Sequence, residues 1–255
     1  FYSRWLDPSM TYSSALWTQG SQSLEQAQHE KYAALARSID LQPHHRVLEI
    51  GCGWGGFAEY AAREIGCSIV GLTLSPAQQA FAVERMAKAG LSDRVEIRLQ
   101  DYRDTAETFD RIVSIEMFEA VGEQWWPTYF KVVRDRLVPG GRAGLQIITI
   151  RENLFEAYRR EVDFIQKYVF PGGMLPSEPR LNQETAAQGL VTTETRRFGA
   201  DYARTLALWL KRFDETHSGM DATFDRLWRF YLAYCEAGFS TGRTDVVQVS
   251  LVRPN

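Results

Sequence analysis

The chain has 255 residues, 45% of them hydrophobic and 24% charged, which is typical of a globular protein and excludes a disordered or fibrous one. Its formal net charge of -3 gives no reason to expect strong attraction to nucleic acid. Three scattered cysteines, Cys52, Cys67 and Cys235, have no metal-ligand spacing and indicate a reducing compartment. With no apolar run of membrane-spanning length and no visible signal peptide, we expect a cytoplasmic location.

The first 22 residues are rich in aromatic side chains, which a disordered tail would contain less often. We therefore predict that residues 1–22 pack over a functional site. The chain opens at Phe1, in mid-pattern and without a methionine, so residues are expected to be missing upstream, and whether they form a further N-terminal region stays open. Ser23-Leu-Glu-Gln26 has the spacing of a capping box and predicts a helix that runs to about Ile39.

The next feature is a short apolar strand followed by glycines at 51, 53 and 56 and then a helix start. This order lets the backbone approach a nucleotide-like ligand closely at Gly51 and Gly53. Glu49 precedes the loop, where a carboxylate suits a cation better than a pyrophosphate. The following strand ends in Gly71-Leu-Thr-Leu-Ser75, without the acid that a dinucleotide site requires. We therefore predict that the ligand is S-adenosylmethionine, a sulfonium cation without phosphate.

Strands and helices then alternate along the chain, which predicts an α/β fold with a mostly parallel sheet and helices on both faces. Strands are predicted at Arg46–Ile50, Ser68–Leu72, Val95–Leu99, Arg111–Ile115, Ala143–Ile148, Val191–Arg197 and Asp245–Val252. Helices are predicted at Gly55–Ile65, Ser75–Ala89, Trp126–Leu137, Asn153–Val169, Tyr202–Phe213 and Asp221–Ala237. No linker divides the chain, so residues 1–255 are predicted to form a single domain, with residues 151–190 as an inserted helical lid.

Nearly from end to end, the chain resembles the cyclopropane-fatty-acid synthase family, which includes the mycolic acid cyclopropane synthases. The glycine loop marks methyltransferases in general, whereas Gly71-Leu-Thr-Leu-Ser75, Phe170-Pro-Gly-Gly173 and the aromatic N-terminal segment are far more specific. The resemblance implies a Rossmann-like class I methyltransferase fold with seven strands. It also implies transfer of a methyl group from S-adenosylmethionine to a cis double bond in an acyl chain of membrane phospholipid, by an enzyme peripheral to the inner membrane surface.

Carried over by position, the resemblance implies a donor site made of Tyr12, Ser13, Gly51, Gly53, Thr73, Leu74, Gln78, Asp101 and Tyr102. Asp101 would accept the adenine amine, and Thr73 and Gln78 would bond the ribose. Tyr12 would bring a π face and a hydroxyl to the sulfonium. Two other interpretations stay open: Gln78 as a capping partner of Ser75, and Asp101 as an ordinary strand-end cap.

The implied reaction needs a base. An alkene that attacks the methyl group leaves a carbocation on the acyl chain, so the site must exclude water and place one base near the new methyl. Removing a proton from that methyl closes a cyclopropane ring. Removing one from a neighbouring carbon leaves a methyl-branched or methylene-bearing olefin. The position of the base therefore chooses the product.

Family members hold a bicarbonate as this base with a cysteine, a glutamate, a histidine and a tyrosine. Glu119 and Tyr202 match, but Ser14 and Gln146 stand at the cysteine and histidine positions, and Glu116 replaces a usual glycine. Either the changes are neutral, because serine and glutamine still donate hydrogen bonds to an anion, or the base site has changed and Glu116 repels bicarbonate or acts itself. Glu119, Tyr202 and Glu116 are predicted to remove the proton, with Ser14 and Gln146 lining the anion site.

Aromatic residues are candidates for the wall of an acyl tunnel, although helical spacing of aromatics is more often plain core. The candidates are Phe118, Trp125, Trp126, Tyr129, Phe170 and Trp209. The stretch Arg151–Lys167 mixes basic residues with an apolar stripe, which fits transient membrane contact but slightly favours a solvated helix over the sheet edge. His29, His44, His45 and His217 are expected on the surface or in loops, and no metal site is predicted.

Three alternatives to ring formation on phospholipid remain. The first is a fatty acid methylase that yields a methyl branch or an olefin. The second is an N- or O-methyltransferase for a small molecule, which would have a more polar site without the glutamate–tyrosine pair. The third is an inactive lipid-binding homologue, favoured by the lost cysteine and histidine and disfavoured by the intact glycine loop.

Overall fold

A computed structural model of the chain describes residues 1–216 and 221–255, and His217 lies outside them. The strands are β1 (Arg46–Ile50), β2 (Ser68–Thr73), β3 (Val95–Leu99), β4 (Phe109–Ile115), β5 (Leu137–Ile150), β6 (Val191–Arg197) and β7 (Thr244–Val252). They form one sheet in the order β3-β2-β1-β4-β5-β7-β6, with β7 antiparallel to its two neighbours and the other pairs parallel. The prediction of a mostly parallel seven-stranded sheet is confirmed.

Helices cover both faces of this sheet, as predicted. They are α1 (Leu24–Ser38), α2 (Gly56–Tyr60), α3 (Pro76–Lys88), α4 (Trp126–Arg136), α5 (Glu152–Tyr158), α6 (Phe164–Tyr168), α7 (Glu178–Ala187), α8 (Gly199–Thr216) and α9 (Ala222–Ser240). Successive residues of a strand point to opposite faces, and Leu48 accordingly joins a core with α4 while Val47 joins a second core with α1, α2 and α3. A third core unites the N-terminal segment with α8 and α9.

Local sequence explains the helix starts beside the glycine loop. Gly55 precedes α2 with φ 81°, a left-handed value that glycine adopts without steric cost. Ser75 caps α3 by accepting from the backbone N–H of Gln78, and Pro76 occupies the first turn, as the Ser-Pro pair predicts. Strand β2 therefore ends, turns and becomes a helix within three residues, Thr73 to Pro76.

The prediction of one helix over Asn153–Val169 is wrong. Two short helices, α5 and α6, occupy this stretch because Asp163 starts a new helix with a capping box closed by Gln166. Apolar spacing alone runs across such a cap without revealing it. The helix predicted over Gly55–Ile65 is α2 followed by a π-helical turn, Ala61–Ile65. Helix α7 was not predicted, although Ser177 caps it.

The N-terminal segment packs against α8 and α9 through aromatic side chains. Trp5 is 1% exposed, and its ring lies 5.7 Å from that of Trp209 and 5.9 Å from that of Trp228. Tyr12 lies 5.5 Å from Trp209. These contacts fix the segment beside the carboxyl edge of the sheet. Within residues 1–216 and 221–255, no helix is long and apolar enough to cross a membrane.

Candidate active site

The predicted donor residues gather where the sheet order reverses. Gly51, Thr73 and Asp101 lie at the carboxyl ends of β1, β2 and β3, which are neighbours in the sheet. After β3 the chain crosses to β4, on the other side of β1, and open α/β sheets bind ligands at such a switch point. The residues that the glycine loop and the resemblance single out therefore share one edge of the molecule.

The glycine loop leaves room beside its backbone. Gly51 and Gly53 have φ values of 80° and 52°. A Cβ at Gly51 would lie 2.5 Å from Cγ of Met117, whereas a Cβ at Gly53 would meet nothing within 4 Å. One glycine is thus required by packing and the other opens the backbone to a ligand.

The carboxyl group of Glu49 lies buried next to this loop. One of its oxygens, Oε2, has no hydrogen-bond partner among the described residues. Burial raises the pKa of Glu49 to about 8, and Lys31 and Arg85 oppose that rise. A buried acceptor without a partner suits a ligand that brings positive charge, so the residues present fit S-adenosylmethionine.

Two of the predicted donor contacts are engaged within the protein. Thr73 donates from Oγ1 to Oε1 of Gln78 at 2.7 Å, so these two side chains bond each other. Both carboxylate oxygens of Asp101 accept from the guanidinium of Arg103, at 3.0 and 2.7 Å, and Asp101 also caps the short helix that follows. The interpretation of Asp101 as a strand-end cap is confirmed, and its role toward adenine stays a prediction. The capping partnership left open for Gln78 is seen in one half only. Its backbone N–H donates to Oγ of Ser75, whereas its side chain bonds Thr73, whose Oγ1 also accepts from the backbone N–H of Ser75.

Leu74 and Tyr102 border the same edge. Leu74 is 72% exposed, although it directly follows the buried end of β2. Tyr102 is half-buried and packs with Tyr129 at 5.5 Å. An apolar side chain and an aromatic ring at a strand edge can hold a flat base between them.

Tyr12 and Ser13 lie deeper than their predicted roles require. The hydroxyl of Tyr12 is 2.9 Å from that of Tyr231, and its ring lines the main cavity described below. Ser13 accepts at Oγ from Nζ of Lys31 at 2.5 Å and is 5% exposed. Its hydroxyl is therefore committed to Lys31.

A cavity of about 900 Å³ opens beside these residues. Its wall is mostly apolar and aromatic, drawn from the N-terminal segment, β5, the 163–175 stretch, α8 and α9. Representative wall residues are Ile148, Val169, Phe170, Leu206 and Phe239. We call it the main cavity. Its volume and lining suit a hydrocarbon chain better than a small polar substrate.

Glu116 lines the main cavity and is held by three donors. Its Oε1 accepts from the backbone N–H of Ser14 at 2.8 Å and from Nε2 of Gln146 at 2.8 Å. Its Oε2 accepts from the hydroxyl of Tyr202 at 2.6 Å. Burial raises the pKa of Glu116, and Tyr202, Lys31 and the other donors oppose the rise. Backbone φ at Glu116 is 49°, a left-handed conformation that is costly for any residue but glycine.

Glu119 lies near Glu116 but has fewer partners. Its Oε1 accepts from the backbone N–H of Ile148 at 2.6 Å, and Oε2 is buried without a partner among the described residues. Burial and, to a smaller extent, the charge of Glu116 together raise the pKa of Glu119 to about 8. Two neighbouring carboxyl groups thus have unlike surroundings, because Glu116 has three donors and Glu119 accepts from the backbone N–H of Ile148.

Two predicted roles in the anion site need correction. Ser14 was predicted to line it with its side chain, but that hydroxyl donates to the carbonyl of Ala15, and the backbone N–H serves the site instead. Gln146 was predicted as an anion ligand, and its anion is the carboxylate of Glu116 itself. Glu116, Glu119, Tyr202, Ser14 and Gln146 are brought together as the resemblance implies.

The aromatic wall is largely different from the prediction. Of the six candidates, Phe170 lines the main cavity. Phe118, Trp126 and Tyr129 are fully buried in the core around α4, as expected if aromatic residues at helical spacing belong to the core. Trp125 is 48% exposed, and Trp209 packs in the third core.

Several polar residues of the site were missed. Lys31 is fully buried on α1, and Gln248 on β7 donates from Nε2 to Oε1 of Gln146 and to the carbonyl of Lys31, both at 3.1 Å. The sequence could have predicted the burial of Lys31, because Lys31 falls on the same helical face as Ala27 and Leu35. It could not have predicted the contact between Gln248 and Gln146, which depends on the pairing of β5 with β7.

Comparison with known proteins shows the family to which the chain is similar. The model of the family described as mycolic acid cyclopropane synthetase matches residues 1–249. The chain is 42% identical to the tuberculostearic acid methyltransferase UfaA1 of Mycobacterium tuberculosis, over 99% of this chain and 62% of that protein. It is 40% identical to the cyclopropane-fatty-acyl-phospholipid synthase of Escherichia coli K12, over 99% of this chain and 64% of that protein. The chain thus spans less than two thirds of the length of either relative.

Solved structures share the fold over nearly the whole chain. The mycolic acid cyclopropane synthase CmaA1 complexed with SAH and CTAB superimposes with a TM-score of 0.93 at 28% identity, over 98% of this chain and 93% of that one. The cyclopropane synthase MmaA2 from Mycobacterium tuberculosis gives a TM-score of 0.92 at 29% identity, with the same coverage of both chains.

Proposed function

The chain belongs to the mycolic acid cyclopropane synthetase family, and from this membership we propose that it transfers a methyl or methylene group from S-adenosylmethionine to the cis double bond of an acyl chain in phospholipid. The observation that carries the proposal is the main cavity, whose mostly apolar wall includes the carboxyl groups of Glu116 and Glu119. A small polar substrate would make few contacts with that apolar wall.

The donor edge and the main cavity meet at the N-terminal segment. Gly51, Gly53, Thr73, Leu74, Gln78, Asp101 and Tyr102 would hold the donor, with Glu49 beneath the loop and Tyr12 and Ser13 between donor and cavity. When bound, S-adenosylmethionine supplies an electrophilic methyl group. The apolar wall excludes water, so a cation that forms on the acyl chain meets only the groups that the protein presents.

Glu116 is the group that we assign as the base. Three donors and the nearby Lys31 favour its ionised form, whereas Glu119 has one backbone donor and a pKa raised to about 8. The donors around Glu116 favour a charged carboxylate there more than the single backbone N–H of Ile148 does at Glu119, and we assign the negative charge of the pair to Glu116. Burial also raises the pKa of Glu116, which strengthens it as a base.

In this assignment Glu116 takes the place that bicarbonate has in the family. The groups that would hold that anion, the N–H of Ser14, the amide of Gln146 and the hydroxyl of Tyr202, already bond the carboxylate. A second anion here would face the negative charge of Glu116 without a free donor. Bicarbonate is accordingly not needed as the base.

A second candidate, favoured by the same carboxylate, is a product without a ring. A base tethered to the chain at residue 116 need not stand where bicarbonate does. It would then take a proton from a chain carbon next to the cation and leave a methyl-branched olefin. If a hydride first moved from the methyl-bearing carbon to the cation, loss of a proton from the methyl group would leave a methylene branch.

One experiment tests both candidates. The protein is incubated with isotope-labelled S-adenosylmethionine and phospholipid vesicles that carry monounsaturated chains, and the fatty acid methyl esters are analysed by mass spectrometry. A gain of one methylene unit supports the function, and fragmentation distinguishes ring from olefin. Absence of any gain on lipid, with donor binding retained in calorimetry, would favour a small-molecule methyltransferase or an inactive lipid-binding protein.

A further inference from the structure

A second, smaller cavity of about 140 Å³ opens beside the main cavity. The two share Tyr158, Asp163 and Arg243, and the remaining wall of the smaller one comes from α5 and the turn after it. That remaining wall consists of Leu154, Ala157, Glu161 and Val162. We call this compartment the side cavity. A charged compartment that joins an apolar one matches an amphiphile with a polar head and a hydrocarbon tail.

Arg243 supplies the positive charge of the side cavity. It is the only lysine, arginine or histidine in the lining of the main cavity, counted over the described residues. Its guanidinium has no ion pair or hydrogen bond to any residue in 1–216 or 221–255. Arg151, its neighbour on the ladder, is by contrast engaged by the carbonyls of Gly242 and Thr241, both at 3.0 Å. A guanidinium with all its donors available is the preferred partner of a phosphate.

Two carboxyl groups supply the negative charge. Glu161 is exposed and has no ion pair among the described residues. Asp163 caps α6 through Oδ1, and its Oδ2 has only a long contact of 3.4 Å with the hydroxyl of Tyr234. Burial raises the pKa of Tyr158, Asp163 adds to the rise and Arg243 opposes it, so these three groups face one another. Such a compartment matches a ligand that carries both signs of charge.

The distance to the reacting end fits a lipid. Gln146 pairs with Gln248 on the β5–β7 ladder, and the backbone of Arg151 bonds that of Arg243 five residues along each strand. At the rise of an antiparallel strand this is about 17 Å. The side cavity thus lies the length of a partial acyl chain away from Glu116. Val162 of the side cavity and Phe170 of the main cavity are both exposed apolar side chains.

We propose that the side cavity binds the zwitterionic headgroup of a phospholipid, with the phosphate on Arg243 and the ammonium on Asp163 and Glu161, while one acyl chain occupies the main cavity. This headgroup site rests on the function proposed above and narrows the substrate to phospholipids that carry an amine.

Headgroup binding is measured apart from turnover, so that the two proposals fail separately. Dihexanoyl phosphatidylethanolamine, below its micelle concentration, is titrated calorimetrically into the wild type, Arg243→Met and the control Arg160→Met. Arg160 is exposed, pairs with Glu156 and lines neither cavity. Roughly tenfold weaker binding is expected for Arg243→Met, because charge-assisted hydrogen bonds are lost, with no change for Arg160→Met. Equal affinity in all three proteins would overturn the proposal.

Two further arms identify the headgroup chemistry. Hexanoate offers a carboxylate without phosphate or amine, and binding as tight as that of the phospholipid would overturn the phosphate assignment. Dihexanoyl phosphatidylglycerol lacks the amine and is expected to bind more weakly than the ethanolamine lipid. The double variant Glu161→Gln, Asp163→Asn should abolish this preference, and asparagine keeps the cap of α6. A preference that survives in the double variant would overturn the ammonium assignment.

Discussion

The hydroxyl of Tyr202 donates a 2.6 Å hydrogen bond to Oε2 of Glu116, so a side chain of α8 fixes a carboxylate that follows β4. Glu116 has a left-handed backbone, which costs on the order of 1–3 kcal/mol for a residue with a Cβ. Three donors around the carboxylate offset that cost. A strained residue with every donor aimed at its charge indicates that the charge itself is used.

Replacing Glu116 with glycine should convert the protein to dependence on an external anion. Glycine relaxes the backbone and frees the N–H of Ser14, the amide of Gln146 and the hydroxyl of Tyr202. Without bicarbonate we expect turnover to fall roughly hundredfold or more, the range that a positioned base contributes. Added bicarbonate should restore part of it, as measured by methylene gain in fatty acid methyl esters.

The matched control for this rescue is Glu116→Gln. Its amide fills the same space, so bicarbonate should not restore its turnover. The wild type should be indifferent to bicarbonate removal. If wild-type turnover falls when carbon dioxide and bicarbonate are stripped from the buffer, Glu116 is not the base.

Replacing Tyr202 with phenylalanine should move the pH profile of kcat. The hydroxyl of Tyr202 lowers the pKa of Glu116, so its removal raises that pKa. A base acts only when ionised, and the acid limb of the profile should therefore shift to higher pH. Tyr231→Phe removes a hydroxyl that bonds Tyr12 rather than Glu116 and should leave the limb in place. An unshifted limb in Tyr202→Phe would contradict the assignment.

Gln248 should affect turnover because it orients the side-chain amide of Gln146. The carbonyl of Lys31 accepts only, so it fixes Nε2 of Gln248 toward itself and toward Oε1 of Gln146. Gln146 must then present Nε2 to Glu116. In Gln248→Met the amide of Gln146 is no longer held in this orientation. We expect kcat to fall roughly five- to tenfold, about 1 kcal/mol, and the acid limb of its pH profile to shift to higher pH. An unchanged kcat and limb would leave Gln248 a purely structural residue.

The sequence predicted the donor edge well because its signals are local. The glycine loop and Ser75-Pro76 each specify a turn and a helix start within a few residues, and the structure confirms both. Alternating strands and helices likewise predicted the sheet. What failed was apolar periodicity across Asp163, where a cap divides one expected helix into two.

The grouping of residues around Glu116 was predictable from the sequence, but their hydrogen bonds were not. No pattern indicates that Ser14 would contribute its backbone rather than its hydroxyl, since that depends on how the N-terminal segment crosses β4 and β5. The partnership of Gln146 with Gln248 depends on strand register in the same way. The pairing of strands that are distant in the sequence decides these side-chain hydrogen bonds, and the register of that pairing cannot be predicted from one sequence.

Glu49→Gln should change how stability depends on pH. Burial raises the pKa of Glu49 to about 8 in the folded protein, from 4.5 as its ordinary value. Between these values the folded state holds a proton that the unfolded state has lost, so this group's stabilisation is complete below its unfolded pKa and declines as pH rises toward 8. Glutamine does not titrate. As pH rises by one unit, the unfolding free energy of the wild type should therefore fall by about 1.4 kcal/mol relative to that of the variant. Urea denaturation between about pH 5 and 7 measures this difference.

Glu119→Gln, at a carboxyl group whose pKa is also raised to about 8, should show the same sign. Parallel wild-type and Glu49→Gln curves would mean that Glu49 is already ionised in the folded protein across this range, held in that form by Lys31 and Arg85.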